Sequence, residues 1–528
     1  MSRTPDIVER QRLALQIELD SQKTQVERNR LGQFATPTAL ARDILRYAST
    51  LLSPKDKVHF LDPAIGTGAF YSALLNTFPQ QRIAEALGFE IDPHYGQPAA
   101  DIWANSDLVL RLSDFTREEP TPRFNLVICN PPYVRHHHIQ SGDKERLLQC
   151  TIKASGMKLS GLAGLYCHFM GLSHGWMTEG GIAGWLVPSE FMDVNYGRAL
   201  KQYLLQHVTL LHIHRFAPSN VQFADALVSS CIVWFRNAPP PPDHAVMFSF
   251  GGTLAAPEIK RMIPVKALGR EAKWTRFPVS EIRSGKTVPI IADFFRITRG
   301  IATGDNRFFI LDENTIATRG LPPELFHPIL PSPRYLPDDE VSPDRDGNPK
   351  VGRRLFLLDT RLGENEIRNR FPALWAYLEE GKNRAVHEGY ICCHRSPWYV
   401  QENRPPAPII CTYLGRGDTK SGRPFRFILN NSRATVANVY LAMYPTPLLL
   451  RYMACDPGLI RRVWQALNAI TPEQLFDEGR VYGGGLHKLE PKELANVDAS
   501  AIAELLPGYE QGVALTQLDM FAEGELAA

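Results

Sequence analysis

The stretch of sequence that decides the fold reads Val58-His59-Phe60-Leu61-Asp62-Pro63-Ala64-Ile65-Gly66-Thr67-Gly68-Ala69-Phe70. Its mostly apolar first residues predict a short buried strand, and the apolar residues after the second glycine predict a helix. Gly66 and Gly68 let the backbone turn tightly and approach a ligand where a Cβ would clash. A strand, a glycine turn and a helix form the first unit of a doubly wound α/β sheet that binds a nucleotide-like ligand.

The glycine turn differs from the common phosphate-binding motifs. It lacks the third glycine of the dinucleotide fingerprint, and no Gly-Lys-Ser/Thr sequence follows it. Asp62, at the end of the predicted strand, instead suits a ligand that carries a positive ammonium group. We therefore expect a nucleotide-like ligand with a cationic part.

Acidic residues also follow the next two predicted strands. Glu90 ends the apolar run before Ile91, about 20 residues past the glycine turn, where such folds hold a ribose diol. Asp114, which precedes Phe115, could accept a hydrogen bond from an adenine amino group. Each acid taken alone is better explained as a solvated loop carboxylate. Their recurrence at successive strand ends favours a binding site.

The fourth predicted strand is followed by Asn130-Pro131-Pro132-Tyr133. A planar NH2 group has a delocalised lone pair, so it needs two hydrogen-bond acceptors before that lone pair can turn towards an electrophilic methyl. The Asn130 side-chain oxygen and the carbonyl of Pro131, whose φ is restricted, can supply them. Tyr133 offers an aromatic face for stacking. The alternative is an ordinary strand-ending turn.

With these motifs in this order, residues 31–237 resemble the γ-class N6-adenine-specific DNA methyltransferases of type II restriction–modification systems. The resemblance implies a Rossmann-like class I methyltransferase domain with a C-terminal mixed α/β target-recognition domain. It also implies methyl transfer from S-adenosylmethionine to N6 of an adenine flipped out of double-stranded DNA. The implied biological role is to protect DNA from a cognate restriction endonuclease, which acts on the same site without an obligatory complex.

The resemblance also implies roles for individual residues. Gln33-Phe34-Ala35-Thr36-Pro37 resembles the N-terminal cofactor motif of the γ class. The implied cofactor-binding residues are Thr36, Asp62, Ala64, Gly66, Gly68, Glu90, Ile91, Asp114 and Phe115. The implied catalytic residues are Asn130, Pro131, Pro132 and Tyr133. Phe223 falls where the family keeps an aromatic residue against the flipped base, with plain core packing as the alternative.

A chain of 528 residues is too long for one ordinary core, so several domains are expected. The proline run at residues 238–243 cannot continue a strand or a helix and predicts a linker. We therefore expect a helical arm at residues 1–30, the catalytic domain at residues 31–237 and the recognition domain at residues 244–528.

The net charge of +2 gives no argument for nucleic acid, but the charge is uneven. Residues 381–470 contain 12 Lys and Arg against 4 Asp and Glu, the pattern of a phosphate-contacting surface. A solvated basic face is the alternative. Candidate DNA contacts are Arg416, Lys420 and Arg423, together with Lys488 in a later segment that resembles the γ class.

Composition bounds the remaining possibilities. The chain has no long apolar run and no signal-peptide pattern, and its eight cysteines form no C-x-x-C pair, so a cytoplasmic, reduced protein without membrane contact is expected. We also expect a monomer. Three consecutive histidines, 136–138, lack supporting ligand spacing, and no metal is expected.

Several other substrates pose related chemical problems. RNA adenine and a protein glutamine amide are the main alternatives. The early position of Thr36-Pro37 favours DNA, and the large C-terminal region argues against a protein substrate. Cytosine N4 methylation usually uses Ser in place of Asn130. The intact motifs argue against a DNA-binding subunit that has lost methyl transfer.

Overall fold

A computed structural model of the protein describes residues 5–217, 222, 229–278, 288–416, 425–482 and 486–509. Its internal contacts divide the chain into two compact units, with the main division between residues 283 and 284. Each unit has its own sheets and hydrophobic core.

The first unit is built on one large sheet. Its described strands are β1 (Val58–Asp62), β2 (Ile83–Glu90), β3 (Leu108–Leu112), β4 (Phe124–Cys129), β5 (Met177–Pro188), β6 (Thr209–Arg215), β7 (Ser230–Arg236), β8 (Ala245–Phe250) and β9 (Ile259–Pro264). They lie in the order β3-β2-β1-β4-β5-β7-β6-β8-β9. Strands β1 to β5 pair in parallel, whereas β7 is antiparallel to both of its neighbours. The expected doubly wound, Rossmann-like fold is confirmed.

Helices cover both faces of this sheet. The described helices of the first unit are α1 (Pro5–Ser21), α2 (Gln25–Leu31), α3 (Thr38–Leu51), α4 (Ala69–Thr77), α5 (Pro93–Trp103), α6 (Ser141–Ser155), α7 (Leu165–Ser173), α8 (Arg198–Gln206) and α9 (Val265–Leu268). Successive strand residues enter opposite cores: Phe60 and Leu126 pack with α3, α4 and α5, whereas Leu61 and Val127 pack with α6, α7 and α8. A sheet buried on both faces explains the nearly continuous apolar strands.

The catalytic domain extends beyond the predicted linker. After the proline run at residues 238–243, β8 pairs with β6 and β9 pairs with β8, so the chain returns to the same sheet. Val246, Phe248 and Ile263 are buried in the core of the first unit. The prolines lie just after the end of strand β7. The end of a strand does not by itself mark the end of a domain. The predicted domain boundary at residue 244 is therefore wrong, and the structure places it about forty residues later.

The predicted N-terminal arm is helical, as expected. It forms α1 and α2, and α2 begins with a capping box in which Thr24 and Glu27 satisfy each other's backbone N–H groups. Helix α2 ends at Gly32, whose left-handed φ of 66° closes the helix. Helix α1 packs on α4 and α5, so the arm is an integral part of the first unit.

The second unit is a mixed α/β structure. Its described strands are β10 (Phe295–Arg299), β11 (Ile310–Asp312), β12 (Phe326–Ile329), β13 (Glu340–Val341), β14 (Leu355–Leu358), β15 (Ile409–Thr412), β16 (Leu414–Arg416), β17 (Phe427–Asn430), β18 (Tyr440–Pro445), β19 (Arg480–Tyr482) and β20 (Leu486–Lys488). They form sheets in the orders β10-β18-β15-β17-β13, β11-β14-β12 and β16-β20-β19.

The described helices after residue 288 are α10 (Ile291–Phe294), α11 (Asn306–Phe309), α12 (Glu313–Thr318), α13 (Glu364–Arg370), α14 (Pro372–Asn383), α15 (Pro447–Cys455), α16 (Leu459–Ala469), α17 (Pro472–Glu478), α18 (Pro491–Ala495) and α19 (Ser500–Ala503). The alternation of short strands and helices agrees with the expected mixed α/β class. Within the described parts of the chain, no helix has both the length and the apolar character needed to cross a membrane.

Candidate functional site

A cavity of about 720 Å³ lies within the first unit. Loops that follow four neighbouring parallel strands contribute to its wall: Pro63, Ala64 and Gly66 after β1, Ile91 and Asp92 after β2, Ser113 to Thr116 after β3, and Asn130 and Pro132 after β4. The strand order reverses between β1 and β4, and open α/β sheets bind ligands at the carboxyl ends beside such a reversal.

The two glycines of the turn have different tasks. Gly66 lines the cavity with a left-handed φ of 56°, and a Cβ there would have no heavy atom within 4 Å. Its backbone conformation, rather than crowding, therefore favours glycine. Gly68 has a φ of 91°, and a Cβ there would lie 2.4 Å from the Trp103 indole nitrogen. That nitrogen donates a hydrogen bond of 3.0 Å to the Thr67 carbonyl, which joins α5 to the turn.

Glu90 joins the first two loops. Its carboxylate accepts hydrogen bonds from the backbone N–H groups of Gly66 at 3.1 Å and Asp92 at 2.7 Å. Burial raises the pKa of Glu90, against the effect of these backbone donors. The carboxylate lines the cavity while it holds both loops in place.

Asp62 lies deeper than expected for a ligand contact. It is 1% exposed and is not among the lining residues. One carboxylate oxygen accepts from the Ala64 N–H at 3.2 Å, and the other finds no hydrogen-bond partner among the described residues. Burial raises the pKa of Asp62 to about 8. Its ionised form would thus be favoured by a nearby cation.

The loop after β3 is fixed by its own hydrogen bonds. Asp114 lines the cavity and accepts from the Thr116 N–H at 2.9 Å and its hydroxyl at 2.7 Å. Arg146 of α6 donates to the Thr116 carbonyl at 2.8 Å. The buried Phe115 ring packs on Phe169, and both rings line the cavity. This end of the cavity therefore combines acceptors with aromatic surface.

Asn130 presents an unused acceptor. Its side-chain nitrogen donates to the Phe34 carbonyl at 2.8 Å and to the Thr36 hydroxyl oxygen at 3.1 Å, so both amide hydrogens are engaged. Its side-chain oxygen is buried and has no partner among the described residues. Since the Phe34 carbonyl can only accept, it fixes which end of the amide is nitrogen, and the oxygen remains free to accept from a group in the cavity.

The segment before α3 supports the Asn-Pro-Pro-Tyr backbone. The Gly32 carbonyl accepts from the Tyr133 N–H at 3.3 Å, and a Cβ on Gly32 would lie 2.3 Å from that nitrogen. The Phe34 and Tyr133 ring centroids are 5.6 Å apart. Residues 32–36 therefore hold the tetrapeptide by backbone and side-chain contacts.

Tyr133 is packed more deeply than a stacking platform would require. It is 9% exposed, does not line the cavity, and donates its hydroxyl to the Leu186 carbonyl at 3.0 Å. Thr36 is also buried, and its hydroxyl contacts Asn130. The structure thus gives Thr36 a hydrogen-bond partner, Asn130, that its expected role in cofactor binding does not include.

The sequence-predicted residues thus fall into four groups. Those that line the cavity are Ala64, Gly66, Glu90, Ile91, Asp114, Phe115, Asn130 and Pro132. Those that adjoin these residues in the chain or contact them without lining it are Thr36, Asp62, Gly68, Pro131 and Tyr133. Phe223, Lys420, Arg423 and the side chain of Arg416 lie outside the described residues. Lys488 is described, and its ammonium lies 2.7 Å from the Glu490 carboxylate.

Sequence reasoning missed the part of the wall that comes from α1 and α6. Gln16 and Asp20 of α1, and Asp143 and Arg146 of α6, line the cavity but belong to no motif. The only signal for the first pair was a polar helical segment directly before the N-terminal cofactor motif. Only the packing of α1 on α4 and α5 brings them to the cavity.

Acidic side chains outnumber basic ones in the wall of the cavity. Its described carboxylates are Asp20, Glu90, Asp92, Asp114 and Asp143, whereas Arg146 is its only Lys or Arg among the described residues. This balance suits a cationic ligand and is unsuited to a polyphosphate. Among the described residues, no group of three or more His, Cys, Asp or Glu is arranged to hold a metal ion.

Two family models match the chain. Residues 76–223 match the Eco57I restriction-modification methylase family, and residues 273–520 match the C-terminal domain of the type II methyltransferase M.Eco57I. The chain is thus similar to the type II restriction–modification methyltransferases. The two matches span parts of both units, so the expectation of such a methyltransferase is confirmed.

Individual relatives match over most of their length. The type II methyltransferase M.XamI of Xanthomonas campestris pv. amaranthicola is 28% identical over 90% of this chain and 86% of its own. The type II methyltransferase M.AccI of Acinetobacter calcoaceticus is 25% identical over 88% of this chain and 85% of its own.

Solved structures are more distant. The type IIL restriction–modification enzyme MmeI in complex with DNA covers 83% of this chain and 69% of its own, with 11% identity and a TM-score of 0.47. A class I S-adenosylmethionine-dependent methyltransferase from Listeria monocytogenes covers 48% of this chain and 76% of its own, with 19% identity and a TM-score of 0.39. The family and the sheet order support the expected class of cofactor, S-adenosylmethionine.

Proposed function

We propose that this protein transfers a methyl group from S-adenosylmethionine to N6 of an adenine that is flipped out of double-stranded DNA. The observation that carries the proposal is the unpartnered Asn130 oxygen in a cavity wall beside the glycine turn. A buried acceptor without a partner costs about 1–3 kcal/mol, so its retention is best explained by a ligand that donates to it.

The cavity fits the proposed cofactor in size and charge. Its volume of about 720 Å³ lies within the usual range for small-molecule sites. When bound, S-adenosylmethionine supplies an electrophilic methyl on a positively charged sulfur. The acidic wall complements that charge. In this proposal Glu90 accepts from the ribose diol, Asp114 accepts from the cofactor's adenine, and Ile91 and Phe115 contact the adenine ring.

Asn130 and Pro131 would prepare the target nitrogen. The Asn130 oxygen and the Pro131 carbonyl accept the two N6 hydrogens, which localises the nitrogen lone pair and turns it towards the methyl. Phe34 and Thr36 prevent the Asn130 amide from rotating, because both of its N–H groups are engaged. The acceptor is therefore oriented before the base arrives, and catalysis consists of positioning and polarisation.

Base flipping follows from the geometry of the duplex, since N6 of a stacked adenine cannot reach a methyl donor in line. We propose that Tyr133 and Phe223 stack on the flipped base. In the structure the Tyr133 ring is buried against Phe34, so stacking requires this ring to become accessible when the base enters. The aromatic side chains that already line the cavity are Phe34, Phe89, Tyr95, Phe115 and Phe169.

The second unit would read the DNA sequence. Its match to the C-terminal domain of a type II methyltransferase supports this role, as does the large size of the region. We further propose that methylation protects DNA from an endonuclease that acts at the same site without an obligatory complex. The match to a restriction-modification methylase family supports this role.

The test is to express the full chain and its Asn130→Ala variant in a methylation-deficient host and to sequence the genomic DNA by a method that detects modified bases. The expected result is N6-methyladenine at one short recurring sequence with the wild type, and none with the variant. Modified cytosine would overturn the adenine assignment. Unmodified DNA in both cultures, with protein that binds S-adenosylmethionine, would shift the substrate to RNA or to a protein glutamine amide.

A further inference from the structure

Helix α1 is tied to the glycine turn by buried polar contacts. Arg12 is 1% exposed and pairs with Glu9, with 2.7 Å between a guanidinium nitrogen and a carboxylate oxygen. The same guanidinium donates to the Thr67 hydroxyl oxygen at 3.0 Å. Thr67 lies between the two glycines of the turn, so α1 fixes the turn from outside the motif.

The next turns of α1 reach the cavity itself. The Thr67 hydroxyl donates to the Gln16 side-chain oxygen at 2.6 Å, and the Gln16 nitrogen donates to Asp20 at 3.0 Å. The Tyr95 hydroxyl of α5 donates to the same Asp20 oxygen at 2.9 Å. Gln16, Asp20 and Tyr95 all line the cavity. One hydrogen-bonded chain therefore runs from the glycine turn through α1 to α5.

A second set of contacts fastens the segment after α1. Lys23 forms an ion pair with Asp92, and the Gln33 side chain donates to the same carboxylate oxygen at 2.7 Å. Burial raises the pKa of Asp92, but the hydrogen bonds from Lys23 and Gln33 lower it overall. Asp92 also accepts from the His94 N–H at 3.0 Å, so its carboxylate is largely committed within the protein.

We propose that α1 is part of the cofactor site, in which Gln16 and Asp20 are binding residues for the cationic methyl donor. This proposal rests on the proposed function and extends the site to residues that precede every recognised motif. Asp20 places a carboxylate in the wall, where its side chain is 25% exposed and its second oxygen lies 3.7 Å from the Arg28 guanidinium, whereas Asp92 is in closer contact with Lys23. Gln16 links the glycine turn to Asp20, because it accepts from the Thr67 hydroxyl and donates to the Asp20 carboxylate.

The charge of Asp20 can be tested separately from its shape. Asp20→Asn keeps the acceptor for the Tyr95 hydroxyl and removes one negative charge from the wall. S-adenosylmethionine carries a positive sulfur, whereas S-adenosylhomocysteine has a neutral thioether of nearly the same shape. The substitution should therefore weaken binding of the first ligand by about 3- to 10-fold and of the second by less than about 2-fold.

The experiment is calorimetric titration of the full-length protein with each ligand, without DNA. Asp20→Asn and Gln16→Ala are compared with Asp6→Asn, a control on the same helix whose carboxylate is exposed and pairs with Arg42. Gln16→Ala should weaken both ligands by about 3- to 10-fold, because the turn loses one of its anchors. Asp6→Asn should bind both ligands like the wild type. Thermal melts establish that the three variants are folded.

Unchanged affinities in both Asp20→Asn and Gln16→Ala would overturn the proposal, and so would equal losses for the two ligands in Asp20→Asn. These results would leave the proposed function standing, because the wild type would still bind and transfer. A wild-type protein that binds neither ligand would overturn the proposed function together with this extension of it.

Discussion

The two units of this protein carry their chemistry in different ways. In the first unit, residues from the ends of four neighbouring strands meet in one cavity, and Asn130 keeps an oxygen without a partner there. In the second unit, several described basic residues of the stretch 381–470, which suggested a DNA surface, are bonded within their own unit. Arg426 donates to Asp339 and to three backbone carbonyls, and Arg461 pairs with Glu340.

The difference shows what kind of sequence signal locates a site. A motif tied to a strand end has a fixed place, because parallel strands present their carboxyl ends at one edge of the sheet. A surplus of positive charge has no fixed place, since each Arg can be used internally. Arg433, for example, donates to Asn348 at 3.1 Å. Substitution of a residue with an unpartnered polar atom should therefore change activity, whereas substitution of an Arg that is bonded within its own unit should change stability.

The largest effect is expected at Asn130. Asn130→Ala should reduce kcat by about 100- to 1,000-fold, since the variant lacks an acceptor for the developing charge. Affinity for S-adenosylmethionine should change by less than about 2-fold. Asn125→Ala, in the strand that precedes Asn130, is the matched control, because the Asn125 side chain bonds to Lys57 and His59 outside the cavity. Methylation by Asn130→Ala at the wild-type rate would contradict the assigned role.

Gly32→Ala should lower the free energy of unfolding by about 2–3 kcal/mol and reduce turnover. The new Cβ would meet the Tyr133 nitrogen at 2.3 Å in a backbone with a φ of 66°. Gly156→Ala is the control that separates backbone strain from steric collision. Gly156 ends α6 with a φ of 72°, and a Cβ there would have its nearest heavy atom 3.4 Å away. Chemical denaturation and steady-state kinetics of both variants measure the difference. Equal turnover in the two variants would argue against the support of the tetrapeptide by Gly32.

Arg426→Ala should lower the free energy of unfolding of the second unit by about 2 kcal/mol, because the hydrogen bonds that join β17 to residues 333–339 are lost. The salt dependence of DNA binding should keep its slope. A residue that contacts a phosphate would instead reduce that slope by about 1. Arg462→Ala, which removes only an exposed ion pair with Asp456, is the control and should be nearly neutral.

Asp62 should make stability depend on pH. Its pKa is raised to about 8 in the folded protein, above its value of about 3.9 in an unfolded chain. Between these values the folded state holds a proton that the unfolded state has released, so stability falls as the pH rises through this window. The free energy of unfolding of Asp62→Asn should exceed that of the wild type by about 1–2 kcal/mol between about pH 4 and pH 8. Denaturation at several pH values, with Asp6→Asn as control, measures this gain; a constant difference would contradict it.

The smallest effect is expected at Thr36. Thr36→Val should reduce kcat by about 3- to 10-fold through loss of one of the two acceptors that orient the Asn130 amide. Affinity for S-adenosylmethionine should not change, and Thr36→Ser should restore turnover. Loss of cofactor affinity with unchanged kcat would instead favour direct binding of the cofactor by Thr36.

Much of the first unit was predictable from residues that break or end elements. Gly66, Glu90, Asp114 and Asn130 follow apolar strands, and the structure brings all four to one cavity. The proline run at residues 238–243 led to a wrong domain boundary. Prolines indicate where β7 ends, but they carry no information about which strand β8 pairs with. The return of β8 to the sheet depends on buried residues such as Phe248, whose partners are distant in sequence.

The sequence by itself determined the class of the first unit, the order of its motifs and the type of side chain at each strand end. These features are local, since strand, turn and helix propensities act over a few residues. Only the tertiary structure decided that Thr36 and Phe34 hold Asn130, that Asp62 is buried without a second partner, and that Gln16 and Asp20 of α1 face the cavity. Those contacts join residues that are far apart in the chain, and packing alone brings them together.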